Sequence, residues 1–251
     1  MQYMAAPLSP AQLAHSGFDL VTKLNVVIEL ERIQPSGGSS LLDAILESTR
    51  RFKKLCGVLQ KTGDLGKWHL YHVILTDGED TMSRNPSERV KSASLECIRT
   101  SGTANWHNHV FCIQPGDIHK NPLLLPLQQL SDLLTFHYHS NADVVANMQS
   151  FGASITPPCA LLLTIDMSAS MQDCWMQVKM GVGALVQGLQ GNSLLAVTCF
   201  HEDVMTLNEA QIWPMEHKRA MPPQEILPSS RLPSSSSLRC PNCSVPSCLL
   251  S

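Results

Sequence analysis

Three short polar clusters flank apolar segments of this 251-residue chain. Asp166, Ser168 and Ser170 alternate in DMSAS, directly after the run CALLLTID. Ser39 and Ser40 close the stretch Gly37-Gly38-Ser39-Ser40 and open the segment LLDAIL. Asp77 lies in Thr76-Asp77-Gly78-Glu79-Asp80, after WHLYHVIL. Alternate residues beyond a strand end can face one side, so Ser168 and Ser170 could flank one ion below Asp166. Two carboxylates with several hydroxyls form a hard-oxygen set that suits Mg²⁺ or Mn²⁺ better than zinc. Plainer readings stand beside this one. Serine and aspartate also cap helices, and Asp77 before Gly78 fits an ordinary turn. Glu79 and Asp80 read as solvated carboxylates.

The elements that would position these clusters alternate along the chain. WHLYHVIL and CALLLTID are continuous apolar runs, as expected of strands covered on both faces. HVFCIQ (109–114), TFHYHS, SLLAVTCF and VMTL read as further strands, the last as a hairpin partner of SLLAVTCF across His201, Glu202 and Asp203. Helices are expected over 18–34, over SSLLDAILESTRRFKKL with Leu41, Ile45 and Phe52 on one face, and over NPSERVKSASLECIR with Pro86 in its first turn. LPLQQLSDLL, ADVVANMQSF and CWMQVKMGVGALVQGLQ complete the set. Alternating helices and buried strands predict an α/β protein with a doubly wound, mostly parallel sheet. Ligands of such sheets bind at the carboxyl ends of the strands, where all three clusters fall. Residues 1–17 read as a flexible lead-in, and the Pro/Ser-rich stretch 214–251 as disordered.

Composition narrows the function. Apolar residues make up 43% of the chain and charged residues 16%, with a formal charge of -3. No basic patch of the kind that binds nucleic acid is evident. No apolar run approaches the roughly 20 residues that span a bilayer, and the N-terminus shows neither a basic n-region nor an apolar h-region. The nine cysteines lack framework spacing and read as free thiols of a reducing compartment. The expectation is a soluble, cytoplasmic protein. His107/His109 and His137/His139 have a spacing that could serve zinc, but no third ligand is evident nearby and they read as surface histidines. Cys240, Cys243 and Cys248 supply three of the four ligands a structural zinc needs, which makes chance the better account.

Asp-x-Ser-x-Ser after an apolar strand, Gly-Gly-Ser-Ser-Leu before a helix and Thr-Asp-Gly after another strand together resemble the metal-ion-dependent adhesion site of von Willebrand factor type A domains. The resemblance covers most of residues 18–210. It implies a Rossmann-like sheet with helices on both faces. It also implies a Mg²⁺ or Mn²⁺ ion held by Asp166, Ser168, Ser170, Ser39 and Asp77, directly or through water. Ser39 stands where the family often has threonine. The implied function is protein–protein interaction, an acidic side chain of the partner completing the metal's coordination, with no catalysis. A metal-dependent phosphoester hydrolase and a remnant with a split, non-functional site are the alternatives.

The motif order departs from the family. Asp-x-Ser-x-Ser comes last here, so 18–151 resembles the family's C-terminal half and 158–210 its N-terminal half. Either one domain is circularly permuted, with GASITPP (152–158) joining the usual ends, or the chain spans the junction of two tandem domains. In the second case two chains would complete their sites by exchanging halves as a homodimer.

Overall fold

The computed structural model describes residues 8–20, 30–101, 105–113, 125–140, 142–189 and 193–206. All the described elements belong to one unit, Met1–Gln211. The stretch 214–251, with its three cysteines, and most of the helix expected over 18–34 lie outside the described residues.

In chain order the elements are α1 (Pro10–Ser16), β1 (Asp19–Leu20), α2 (Leu41–Thr62), β2 (His69–Thr76), α3 (Ser87–Ser101), β3 (Trp106–Ile113), α4 (Leu125–Gln128), β4 (Thr135–His139), α5 (Val144–Ser154), β5 (Cys159–Asp166), α6 (Trp175–Gln187), β6 (Leu194–Phe200) and β7 (Val204–Thr206). The seven strands form one sheet in the order β1-β6-β5-β2-β3-β4, with β7 also paired to β6. β2, β3, β4, β5 and β6 run parallel. β1 and β7 are antiparallel to β6, along its first and last residues respectively. This is the expected doubly wound α/β architecture. The stretches before and after residue 155 contribute to a single sheet within one chain.

Side-chain parity assigns the two faces. Leu161, Leu163 and Ile165 of β5 pack with Val178, Val182 and Leu185 of α6 and with Val144 and Met148 of α5. Ala160 and Leu162 point the other way, onto Phe52, Leu55 and Leu59 of α2. Ile74, Val110 and Cys112 meet Leu41 and Ile45 of α2 and Val90 of α3 on that same side. Every residue of β5 is buried, which explains why its sequence shows no polar alternation. Each fully buried leucine there stabilises the fold by roughly 1.5–3 kcal/mol relative to exposure.

Two expectations at the N-terminus need correction. Residues 10–16, placed in a flexible lead-in, form a helix. Ser9 accepts from the Gln12 backbone while the Gln12 side chain accepts from the Ser9 backbone, a reciprocal capping box, and Pro10 occupies the first turn. Leu13 and Phe18 are buried against Phe52 and its neighbours. Asp19 and Leu20, placed at the start of a helix, instead pair with Leu195 and Leu194, because the outer edge of β6 offers unpaired backbone groups there. β3 also begins earlier than expected, at Trp106. The six cysteines among the described residues are buried, and no described helix is long and apolar enough to cross a membrane.

Candidate metal centre

The chain winds outward from β2 to β3 and β4 on one side, and from β5 to β6 on the other. The winding reverses between β2 and β5, which are paired in parallel from His69↔Cys159 to Leu75↔Ile165. A crevice opens at such a reversal, beyond the carboxyl ends of the two central strands. The next residues in this register are Thr76 and Asp166.

Asp166 is fully buried at the end of β5. Its Oδ2 accepts from Ser39 Oγ at 3.2 Å and from Thr76 Oγ1 at 2.8 Å. Its Oδ1 accepts from the Ser168 backbone N–H at 2.9 Å. These donors lie 127, 90 and 2 positions away in sequence, so the carboxyl gathers both distant stretches. Ser168 and Ser170 hydroxyls are 3.0 Å apart. The loop that carries Ser39 is laced to the loop after β5: Ser36 N–H donates to Met167 C=O and Ala169 N–H to Gly37 C=O. Gly37 has φ 75°, a conformation that favours glycine. A side chain on Gly38 would meet Met82 and Thr81. Thr81 in turn accepts from Ser39 N–H through its hydroxyl at 3.0 Å, which ties the Gly-Gly-Ser-Ser loop to the segment after Asp77.

Asp77 is buried at the end of β2. Its Oδ1 accepts from Glu79 N–H at 3.0 Å, the turn partner expected of an aspartate before a glycine, and Gly78 adopts φ 93°. Asp77 makes no hydrogen bond to the other four candidate residues among the described contacts; it acts on Asp166 by charge. Burial, offset by the Ser168 backbone bond, pushes the Asp166 carboxyl up to about 7, and the Asp77 charge adds to the rise. The same negative field reaches further. Burial and then Asp77 raise Glu79, while burial and then Asp77 push the Cys174 thiol up to about 11 and Cys112 to about 12. Neither Asp166 nor Asp77 is in an ion pair among the described residues.

The capping alternative meets a specific obstacle. Ser40 is the N-cap of α2 and Ser168 the N-cap of the 3₁₀ turn Ala169–Cys174, and neither side chain makes a capping bond. Ser40 Oγ instead donates to His201 C=O at 2.6 Å, in the β6–β7 turn. Thr76 is the residue that sequence reading missed. A threonine closing a strand looks like a β-former, and only the β2–β5 register shows that it faces Asp166.

The donor set consists of oxygen atoms alone: two carboxylates and the hydroxyls of Ser39, Thr76, Ser168 and Ser170. Among the described residues no three His, Cys, Asp or Glu side chains group to hold a metal ion. A buried carboxyl held by hydroxyls, with a second carboxylate beside it and no ion pair to either among the described residues, fits a hard divalent cation. The two H-x-H pairs lie elsewhere, towards the β4 edge of the sheet, where His109 Nδ1 and His137 Nε2 are 2.9 Å apart.

Fold and site define an α/β protein with an acidic, hydroxyl-rich cluster at the sheet's winding reversal. No protein-family model and no curated protein matches the chain. Among solved structures, an uncharacterized protein from Alicyclobacillus acidocaldarius subsp. acidocaldarius is similar at 15% identity, over 57% of this chain and 80% of that one, with a TM-score of 0.39.

Proposed function

We propose that this chain is a circularly permuted relative of von Willebrand factor type A domains that binds Mg²⁺ or Mn²⁺ and captures an acidic side chain of a protein partner, without catalysis. The observation that carries this reading is the meeting of Ser39, Thr76 and Asp166 from two distant stretches, at 3.2 and 2.8 Å. The sheet order supports it: read from β7 through β6, β5, β2, β3 to β4, it is an ordinary doubly wound order with the chain entered in the middle. Asp166, Ser168, Ser170, Ser39 and Asp77 would hold the ion, and Thr76 would orient Asp166 for it. Bound there, the cation supplies positive charge to a crevice whose own side chains are negative or neutral, and so favours an incoming carboxylate. Ser168 and Ser39 keep their hydroxyls buried and directed at the site, and the interlaced loops hold both in place.

A thermal melt with added Mg²⁺ or Mn²⁺ tests the reading. A tenfold excess of cation over Kd stabilises the native state by about 1.4 kcal/mol, or about 3–6 °C in Tm for a domain of this size. Asp77→Ala should remove the rise. A melt that does not respond to either cation would end the proposal.

A further inference from the structure

Five histidines and Tyr71 on one face of β2, β3 and β4 form a connected stack that climbs from the start of β2 to the end of β4. His69 and Tyr71 of β2, His107 and His109 of β3, and His137 and His139 of β4 have the parity of the face covered by α5. Ring centroids are 6.1 Å apart for His69–His107, 4.8 Å for Tyr71–His107 and 6.3 Å for Tyr71–His109. They are 5.2 Å apart for His109–His137 and 6.2 Å for His137–His139. α5 closes over the stack: Phe151 stands edge-on to His109 at 4.6 Å, and Asn147 Nδ2 lies 3.0 Å from His139 Nδ1.

The charges around the stack are few. α5 itself has no ionisable residue. Asp143, just before it, acts on His139. Tyr71 Oη accepts from Thr156 N–H at 3.3 Å. Lys179 of the neighbouring α6 is turned away to Glu31, at 2.7 Å. His69 Nδ1 and His139 Nε2 are buried atoms with no hydrogen-bond partner among the described residues, so these two rings are held in part by packing.

We propose that this stack is a proton-operated latch, which seats β4 and α5 while the imidazoles are neutral and releases them on acidification. The 2.9 Å contact between His109 Nδ1 and His137 Nε2 needs one proton between two nitrogens. One added proton leaves it satisfied, because an imidazolium still donates to a neutral imidazole. A second leaves two N–H groups facing each other and like charges in rings 5.2 Å apart. Burial already holds the cluster toward neutrality, bringing His109 down to about 4, with the His137 and His107 charges adding to it. Burial likewise lowers His107, His137 and His139. β4 is the element placed to yield, since it is an edge strand paired only to β3 among the described strands.

Hydrogen–deuterium exchange of the full chain, from pH 7 to 4.5 and corrected for intrinsic rates, tests this. Amides of Thr135–His139 and of α5 should lose at least ~tenfold more protection than those of β5 and β6, more steeply than one proton allows. His109→Gln with His137→Gln should abolish the difference. Opening that persists in this double variant, or β4 opening no more than β5, overturns the latch. Should the double variant not fold, the imidazole carbon resonances of the wild-type chain decide. Midpoints for His109 and His137 below the ordinary histidine value and in step with β4 opening support the latch; independent titration at the ordinary value overturns it.

Discussion

Ionising Asp166 inside the fold takes a carboxylate out of water and gives it two hydroxyls and one amide in exchange. The balance is unfavourable, since burial lifts this carboxyl to about 7. Asp166→Asn keeps the shape and removes the charge. In metal-free buffer at pH 8 the variant should be as stable as the wild type or more stable, measured by urea unfolding. It should gain nothing from Mg²⁺. A variant much weaker than the wild type without metal would show that the carboxyl serves the fold alone. His72 gives the acid side of the profile. It is buried, with Nε2 2.9 Å from Thr164 Oγ1, and burial lowers it to about 3. The unfolded chain binds the proton first, below the ordinary value of 6.5, so stability is full above that value. It falls by about 1.4 kcal/mol per pH unit as pH drops toward 3. His72→Gln should flatten the pH 4.5–6.5 limb of the unfolding midpoint. Asp166, Ser168, Ser170, Ser39 and Asp77 could be singled out in the sequence because each lies in a polar cluster beside an apolar run. Thr76 and the His109–His137 contact could not, because both depend on which strands become neighbours.

At the scale of elements, glycine separates positions where backbone needs room from positions where it does not. A Cβ on Gly152 of α5 would come within 2.8 Å of Leu185 C=O in α6. The helices therefore touch backbone to backbone, and this contact seats α5 over the sheet. A Cβ on Gly57 of α2 would meet nothing within 4 Å. Alanine is worth up to about 1 kcal/mol over glycine in a helix interior. Gly57→Ala should therefore raise the urea midpoint, while Gly152→Ala should lower it through an overpacking cost of about 1–3 kcal/mol, both at unchanged m-value. Equal shifts in the two variants would mean that α5 and α6 are not in close contact. The long helices and central strands were readable from periodicity and unbroken apolar runs. α1 was overlooked although its signal was present: Ser9, Pro10 and Gln12 spell a capping box, and a seven-residue helix is too short to show periodicity. β1 had no local signal, because two residues become a strand only when an edge is beside them.

The whole molecule rests on one long-range junction. β2 and β5 are neighbours at the centre of the sheet, in register over seven residues, yet β3, β4 and α5 intervene between them in sequence. The swapped order of motifs was visible in the chain, and a single sheet shared by both stretches was one of the two readings it left open; the choice between them rests on strand pairing, which residue types do not state. The arrangement makes the segment around 152–158 a connection whose continuity matters less than the surfaces it joins. Separated there, the first fragment carries β2 without β5, and the second carries β5, β6 and β7 without β2. Each would expose a central strand edge and the apolar side chains on both faces, among them Leu161, Leu162, Ile74 and Leu75, a combination that favours aggregation over folding. Neither 1–154 nor 155–251 alone should unfold cooperatively. Mixed in equal amounts they should recover the far-ultraviolet spectrum and a single unfolding transition, which would respond to Mg²⁺ if the crevice at the winding reversal binds it. Cooperative unfolding of either fragment alone would place the folding unit on one side of that junction, and the two stretches would then be separate domains that merely touch.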